Sequence, residues 1–258
     1  MFDEGQTEAG FGDDPLLTFE YLNPEGRKLL RDRFAAHAVP EKLAFQWRAT
    51  PSPCNRVALV NRLTWGRPDA CYLEIGCDNN ALFDAIPLAQ KVGVDPEKGG
   101  NIRMTSDDFF ASNELAFDVI FIDGLHTYQQ VRRDVSNAIK ALSPGGWIAL
   151  HDMVPRNWEE EHVPRLSGPW TGNVWKVAVE LAQSRGVDFR IVMIDQGVGL
   201  MRLTGAAEPE LADLQPELAD AGLTTFLERL PEITQLSWDE AITWIDQIES
   251  GGSKGAAP

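Results

Sequence analysis

The stretch FRIVMIDQGVGLMRL, from Phe189 to Leu203, holds two apolar segments separated by only three residues. Phe189 to Ile194 and Val198 to Leu203 are each as long as a typical strand. The connection Asp195-Gln196-Gly197 has the length of a β-hairpin turn, whereas a parallel pair needs a crossover of a dozen or more residues. The sequence therefore predicts an antiparallel pair of strands here.

Upstream of this hairpin, apolar strand-like segments alternate with helical patterns, which predicts a parallel sheet covered by helices on both faces. The predicted helices are Ala81 to Ile86 and a longer one from Tyr128, with Thr127 and Gln130 as a capping box. The predicted strands are Cys71 to Ile75, Lys91 to Val94, Ile102 to Met104, Phe117 to Ile122 and Trp147 to Leu150.

Two features of the first strands indicate a nucleotide-like ligand. Gly76 follows the first strand, and a residue without a Cβ lets the backbone approach a ligand closely. Asp95 ends the second strand, where an acid can accept both hydroxyls of a ribose. The glycines of the dinucleotide-binding fingerprint are missing, because Asp78 and Ala81 stand at the later positions. A nicotinamide oxidoreductase is therefore disfavoured.

The chain resembles the class I S-adenosylmethionine-dependent methyltransferases, in particular a small bacterial group with I-D-G-x-H and P-G-G…H-D segments. The resemblance covers about Cys71 to Leu203. It implies a Rossmann-like α/β fold, with a mostly parallel seven-stranded sheet and an antiparallel terminal hairpin. The matching segments are Tyr72–Gly76, Val92–Pro96, Thr105–Phe110, Ile120–His126, Ser143–Asp152 and Gly168–Lys176.

The resemblance implies S-adenosyl-L-methionine as the cofactor and assigns residues to it. Glu74 and Gly76 would border its methionine half, and Asp95 would hold the ribose. Ser106 and Asp107 would contact adenine, although Ser106 to Asp108 can also be a helix cap. Asp123 would border the same cofactor.

Asp123 and Asp152 end neighbouring strands of this fold, so their carboxylates are expected to converge. Such a pair can share a proton, pair with a cation or hold a divalent metal, and Mg²⁺ typically uses one or two carboxylates plus waters. The pair is similar to that of metal-dependent O-methyltransferases. Met153 departs from that group, which often has Asn or Asp at this position, so the metal is left open.

His126 lies at the start of the helix from Tyr128 and is the candidate general base. The helix N-terminus is expected to lower its pKa. Strand alternation predicts that His151 points away from Asp152 and is structural. Candidates for the wall of an acceptor pocket are Arg156, Trp158, His162 and Trp170, whereas Trp175 is expected in the core.

Composition narrows the partners. The net charge of −16 disfavours nucleic acid, which is held by lysine and arginine. There is no membrane-spanning stretch or basic-then-apolar leader, so a cytoplasmic protein is expected. The three cysteines lack metal or disulfide spacing and receive no role.

Three segments are predicted: an N-terminal tail and helical segment over 1–69, a catalytic core over 70–204, and a helical extension with a flexible tail over 205–258. The predicted function is methyl transfer to a small molecule, through a hydroxyl oxygen and with Mg²⁺ as an option. The alternatives are metal-independent transfer to nitrogen and a cofactor-binding module without catalysis. A homo-oligomer is left open.

Overall fold

The computed structural model describes residues 54–166, 169–205 and 208–252. Most of the predicted N-terminal tail and helical segment lies outside these residues, as does most of the predicted flexible tail. The strands are β1 (Cys71–Ile75), β2 (Gln90–Val94), β3 (Phe117–Ile122), β4 (Leu142–Leu150), β5 (Val187–Val192), β6 (Val198–Leu203) and β7 (Gln235–Leu236). The helices are α1 (Arg56–Thr64), α2 (Ser106–Ser112), α3 (Tyr128–Ala141), α4 (Trp158–Glu161), α5 (Trp175–Gln183), α6 (Gln215–Leu218), α7 (Leu223–Arg229) and α8 (Trp238–Gly252).

The strands form one sheet in the order β2-β1-β3-β4-β6-β5-β7. Strands β2, β1, β3 and β4 are parallel to one another, and β6 is antiparallel to both β4 and β5. The predicted hairpin is therefore present and inserts β6 between β4 and β5. The predicted fold class, a Rossmann-like and mostly parallel seven-stranded sheet, is confirmed.

The predicted third strand is wrong. Of Ile102 to Met104, only Ile102 pairs with the sheet, through a single bridge to Val94. The outer edge of β2 is instead used by a turn, in which the side chain of Asn101 accepts from the amide of Gly93 (2.8 Å). The seventh strand is the short β7, which pairs with β5 at the opposite edge.

The predicted helix from Ala81 to Ile86 is also wrong, since only a 3-10 helix forms at Phe83–Ala85. Asn80 before it has a φ of 64°, and its side chain accepts from the amide of Gly100 (2.6 Å). Pro87 follows Ile86 and disfavours helical backbone there. The described segment between β1 and β2 therefore contains no α-helix.

Alternate side chains of the strands enter two cores, one on each face of the sheet. Leu73, Ile120 and Ile148 pack with α3 and α5, whereas Tyr72, Val119 and Trp147 pack with α1 and α8. Arg62 of α1 is paired with Asp246 and Glu249 of α8. Residues from both predicted flanking segments thus cover one face of the sheet.

The N-terminus of α3 is held differently from the prediction. Thr127 is the N-cap residue, but its side chain makes no capping hydrogen bond. The amide of Tyr128 donates instead to Oδ1 of Asn173, at 2.7 Å. The predicted capping box is wrong, and a residue beside α5 caps α3 in its place.

In the described part of the chain, no helix is both long and apolar enough to cross a bilayer.

Candidate functional site

Three strand ends meet at the carboxyl edge of the sheet and bring Gly76, Asp123 and Asp152 together. Gly76 has a φ of 84°, and a Cβ on it would lie 2.1 Å from the carbonyl oxygen of Asp123. Only glycine fits such a contact. The glycine bend after β1 therefore packs directly against the loop after β3, which carries the candidate catalytic residues.

Asp123, His126 and Asp152 form one cluster, as the sequence predicts. Nε2 of His126 lies 3.3 Å from Oδ1 of Asp123, and Nδ1 lies 3.2 Å from Oδ2 of Asp152. The imidazole thus lies between two carboxylates. This Asp123–His126–Asp152 cluster is also the group of possible metal ligands that the described residues contain.

His151 belongs to the same cluster, which corrects the prediction that it points away. Its Nδ1 lies 3.3 Å from Oδ1 of Asp123 and 3.2 Å from Oδ1 of Asp152. Asp152 adopts a φ of 60°, so the alternation of a strand ends at this residue. The contact between His151 Nδ1 and Asp152 Oδ1 lacks hydrogen-bond geometry, so these two buried atoms interact as an ion pair within the cluster.

Arg56 and Asp195 extend the cluster and were not predicted. Nη1 of Arg56 donates to Oδ2 of Asp195 (2.9 Å) and lies 3.2 Å from Nε2 of His151. Its Nε is 4.0 Å from Oδ2 of Asp123. Arg56 begins α1 and Asp195 lies in the hairpin turn, so two distant segments contribute charge here.

The positive groups set the protonation of the cluster. Burial by itself would raise the pKa of Asp123, but His151 and His126 hold it well below its usual range. Burial also opposes a charged His126, yet Asp123 and Asp152 raise its pKa. The predicted lowering of this pKa by the helix N-terminus is therefore wrong. His126 therefore keeps its proton to a higher pH than expected and accepts a proton only in its neutral form.

Trp170 and Gly172 fix the position of His126. The indole of Trp170 stacks on the imidazole of His126 with ring centroids 5.1 Å apart. The backbone carbonyl oxygen of Trp170 lies 2.9 Å from Nδ1 of His126. A Cβ on Gly172 would lie 1.8 Å from the carbonyl oxygen of His126. Of the predicted wall residues, Trp170 thus contacts the cluster.

The other predicted wall residues have different contacts. Arg156 pairs with Glu160, and the carbonyl of His162 accepts from Nε1 of Trp170. Trp158 packs against His162. Trp175 is fully buried, as predicted.

Asp95 holds two loops together. Its Oδ2 accepts from the amides of Cys77 and Asp78, and its Oδ1 accepts from the amides of Glu97 and Lys98, at distances of 2.8–3.0 Å. An ionised carboxylate has about four acceptor positions, and these amides use them. Ribose binding by this side chain stays a prediction and requires it to exchange amide bonds for hydroxyls.

Glu74 is buried at the end of β1 and accepts a hydrogen bond from the hydroxyl of Tyr72, at 2.5 Å. Burial raises the pKa of Glu74 to about 7. A carboxyl of this kind can serve both as acceptor and as donor near neutral pH, depending on its proton.

Ser106 and Asp107 begin α2 and are connected to α3 through Gln130. Nε2 of Gln130 donates to Oγ of Ser106 (3.1 Å), Oδ1 of Asp107 (3.1 Å) and Oδ1 of Asp134 (3.0 Å). Thr105, rather than Ser106, caps α2. Oδ2 of Asp134 is buried without a hydrogen-bond partner, so polar acceptors are available between α2 and α3.

The polar groups at the carboxyl edge of the sheet are of the kinds that S-adenosylmethionine, the predicted cofactor, would need. Carboxylates, a serine hydroxyl and the glycine bend lie along this edge, and two exposed apolar side chains, Met104 and Leu125, border the segments that begin α2 and α3. An adenosyl group needs both polar and apolar contacts. The residues that would hold it are Glu74, Asp95, Ser106, Asp107 and Asp123.

The carboxylates of Asp123 and Asp152 suit a Mg²⁺ ion, whereas the orientation of the His126 imidazole does not. Asp123 and Asp152 offer oxygens, which Mg²⁺ prefers. The two nitrogens of His126 face different carboxylates, so one imidazole does not direct its lone pair toward an ion shared by both. Arg56 and His151 already place positive charge beside the same oxygens.

Comparisons with known proteins find one matching sequence family and a group of similar solved structures. Residues 88–153 match a sequence family described as a methyltransferase domain. No match was found among curated proteins. Among solved structures, the SAH-bound methyltransferase PaMTH1 of Podospora anserina is 18% identical, with 71% of this chain and 97% of that chain covered and a TM-score of 0.44. The SAM complex of the O-methyltransferase TomG of Streptomyces achromogenes is 18% identical, with 69% and 96% covered and a TM-score of 0.43.

The family match begins just before β2, contains Asp95, Asp123 and His126, and ends at Met153, directly after Asp152. At these identities and TM-scores, the likeness to the solved structures concerns the fold only. The matched segment is therefore similar to a methyltransferase domain, and the resemblance to class I S-adenosylmethionine-dependent methyltransferases predicted from the sequence is confirmed.

Proposed function

We propose that this protein transfers a methyl group from S-adenosylmethionine to a hydroxyl oxygen of a small molecule. The observation that carries the proposal is the Asp123–His126–Asp152 cluster at the carboxyl edge of a class I sheet, within the segment that matches a methyltransferase domain. S-adenosylmethionine supplies an electrophilic methyl group when bound. The protein's own residues must then place an acceptor oxygen in line and receive its proton.

His126 is the base in this proposal. Its pKa is raised by Asp123 and Asp152, and these carboxylates stabilise the imidazolium that forms when the acceptor hydroxyl loses its proton. Trp170 restricts the ring to one orientation by stacking on it. In this proposal the carboxylate of Asp152 accepts the hydrogen bond of the acceptor hydroxyl before transfer.

Metal-independent transfer to an amine is the second candidate, and the cations beside the cluster favour its metal-free character. Arg56 lies 4.0 Å from Asp123, and the pKa of His151 is raised well above its usual value, although burial opposes this. The carboxylates are thus neutralised by the chain itself. In this candidate they hold the acceptor amine through hydrogen bonds instead of a Mg²⁺ ion, and the amine attacks the methyl group in its neutral form, which has a free lone pair.

The first test measures ligand binding by thermal shift with S-adenosylhomocysteine and NADH, each with and without Mg²⁺. A specific ligand raises the melting temperature by mass action. We expect a shift with S-adenosylhomocysteine and none with NADH. An unchanged melting temperature with S-adenosylhomocysteine contradicts the proposed function.

The second test measures turnover with hydroxylated and amine acceptors. Asp123→Asn and His126→Gln should lower kcat by about 10²–10⁴-fold, the range of general acid–base contributions. Asp188→Asn is the matched control, since Asp188 pairs with Arg190 on β5. Full turnover of both cluster variants refutes the assignment. Loss of activity with a chelator selects the Mg²⁺-assisted form, and binding without turnover of any acceptor selects the non-catalytic module.

A further inference from the structure

A cavity lies away from the Asp123–His126–Asp152 cluster, between α4, α5 and the connection from α6 to α7. Its volume is about 290 Å³, close to the lower limit of about 300 Å³ for small-molecule sites. Lys176 and Glu161 line it together with Trp158, Ala219, Ala221 and Leu223. We name it the Lys176–Glu161 cavity, and none of its lining residues belongs to the Asp123–His126–Asp152 cluster.

Lys176 brings a buried positive charge to this cavity. The residue is 3% exposed, and its Nζ donates to the carbonyl oxygen of Ala219, at 3.0 Å. The ammonium also lies 5.9 Å from the ring centroid of Tyr128 and 5.7 Å from that of Trp175. An ammonium has three donors, and one of them is used by Ala219. In the described part of the chain no carboxylate lies within 4.0 Å of this ammonium, although Glu161 and Asp220 are near enough to oppose the lowering of its pKa by burial.

Glu161 brings a buried carboxyl to the same cavity. It is 8% exposed, and its Oε1 accepts from Nε1 of Trp175, at 2.9 Å. Burial raises the pKa of Glu161 to about 7, although Trp175 and Lys176 oppose this. Among the described residues, Glu161 has no ion-pair partner either. Two groups of opposite charge thus line one cavity and attract each other across it, without the close contact of an ion pair.

This arrangement is costly for the protein alone. Burial of a charge without a counter-charge in close contact costs up to several kcal/mol even after relaxation. A ligand that brings an anion to Lys176 and a cation to Glu161 removes both costs at once. The apolar side chains of Trp158, Ala221 and Leu223 then contact its carbon skeleton.

We propose that the Lys176–Glu161 cavity binds a small zwitterion of amino-acid size. Its anionic group faces Lys176 and its cationic group faces Glu161. The site is independent of methyl transfer in its chemistry, but Asn173 connects the two. Asn173 lines the cavity and caps α3, whose first turn directly follows His126. A ligand in the cavity would therefore lie beside the residue that caps α3, the helix that directly follows His126.

The test titrates the full chain with the free proteinogenic amino acids by calorimetry, and with acetate and ethylamine as half-molecule probes. We expect at least one amino acid to bind and both half-molecules to bind much more weakly. Lys176→Met should weaken binding at least roughly tenfold, because one partner of a buried charge pair is removed. Lys140→Met is the matched control, since Lys140 is exposed on α3.

A second variant keeps the charges and removes the space. Ala221→Leu takes up space in the cavity while Lys176 and Glu161 are retained, and should abolish amino-acid binding while circular dichroism stays unchanged. S-adenosylhomocysteine binding is measured on the same samples and should be equal in all of these variants, which separates this proposal from the proposed function. The cavity proposal is overturned if no amino acid binds the wild-type chain. It is also overturned if acetate binds as well as the amino acids, or if Lys176→Met and Ala221→Leu both bind like the wild type.

Discussion

Replacement of Gly76 by alanine tests the packing on which the candidate site depends. Gly76 needs a φ of 84°, and a Cβ there meets the carbonyl oxygen of Asp123 at 2.1 Å. Gly145 needs a similar φ of 76°, but a Cβ there meets nothing within 4 Å. The two substitutions thus share the backbone strain and differ in the steric clash.

The magnitudes follow from these two terms. Positive φ costs an alanine about 1–2 kcal/mol, which is the whole expected destabilisation for Gly145→Ala. Forced overpacking adds about 1–3 kcal/mol, so Gly76→Ala should lose about 2–5 kcal/mol in total. Because the clash is with backbone, the loop that carries Asp123 must move. We therefore also expect Gly76→Ala to lose S-adenosylhomocysteine binding and Gly145→Ala to keep it.

Urea denaturation measures both stabilities from the midpoints, provided that the slopes agree. Calorimetry at a temperature where both variants are folded measures ligand binding. Equal loss of stability in the two variants would refute the claim of a backbone contact between the loops. Unchanged S-adenosylhomocysteine binding in a destabilised Gly76→Ala would refute the claim that this contact shapes the ligand site.

Three further substitutions test single contacts. In the folded chain the pKa of Glu161 is about 7, raised from 4.5, so its contribution to stability is complete below about pH 4.5 and is lost as the pH rises through 7. Glu161→Gln should therefore gain stability relative to wild type, by up to about 3 kcal/mol between pH 5 and pH 8, and a pH-independent difference in urea midpoints would contradict this. Asn173→Ala removes the cap of α3 and should cost about 1 kcal/mol, whereas Thr127→Ala should cost much less; thermal unfolding that ranks them in the opposite order would restore the predicted capping box. Asp95→Asn replaces a carboxylate that accepts from amides of two loops with a group that donates toward half of them, and should cost about 2–3 kcal/mol; an unchanged melting temperature would show that these bonds are not made.

The strands were predictable because their residues are apolar on both faces, as buried parallel strands require. Cys71 to Ile75 and Val198 to Leu203 have the predicted bounds. The strand predicted at Ile102 to Met104 is wrong because the side chain of Asn101 bonds to the edge of β2. Hydrophobic periodicity cannot predict such a contact. Likewise, the helix after β1 failed because Asn80 adopts a positive φ.

The candidate site was predictable where it depends on strand ends and not where it depends on turns. Asp123 and Asp152 converge because neighbouring parallel strands end at one edge. His151 lies beside them because Asp152 leaves the strand conformation, with a φ of 60°. Strand alternation alone predicts that the two side chains point to opposite faces. Arg56 meets Asp195 across 139 residues of sequence, and only the packing of α1 on the sheet reveals that pair.

The guanidinium of Arg56 has a consequence for any attempt to shorten this protein. Arg56 lies before residue 70, so the predicted boundary of the catalytic core separates it from the hairpin aspartate to which it donates. A fragment starting at residue 70 would keep every strand and still lose a positive charge from the acidic cluster. Its binding constants would then describe a more acidic crevice, with a stronger pull on divalent cations than the intact chain has.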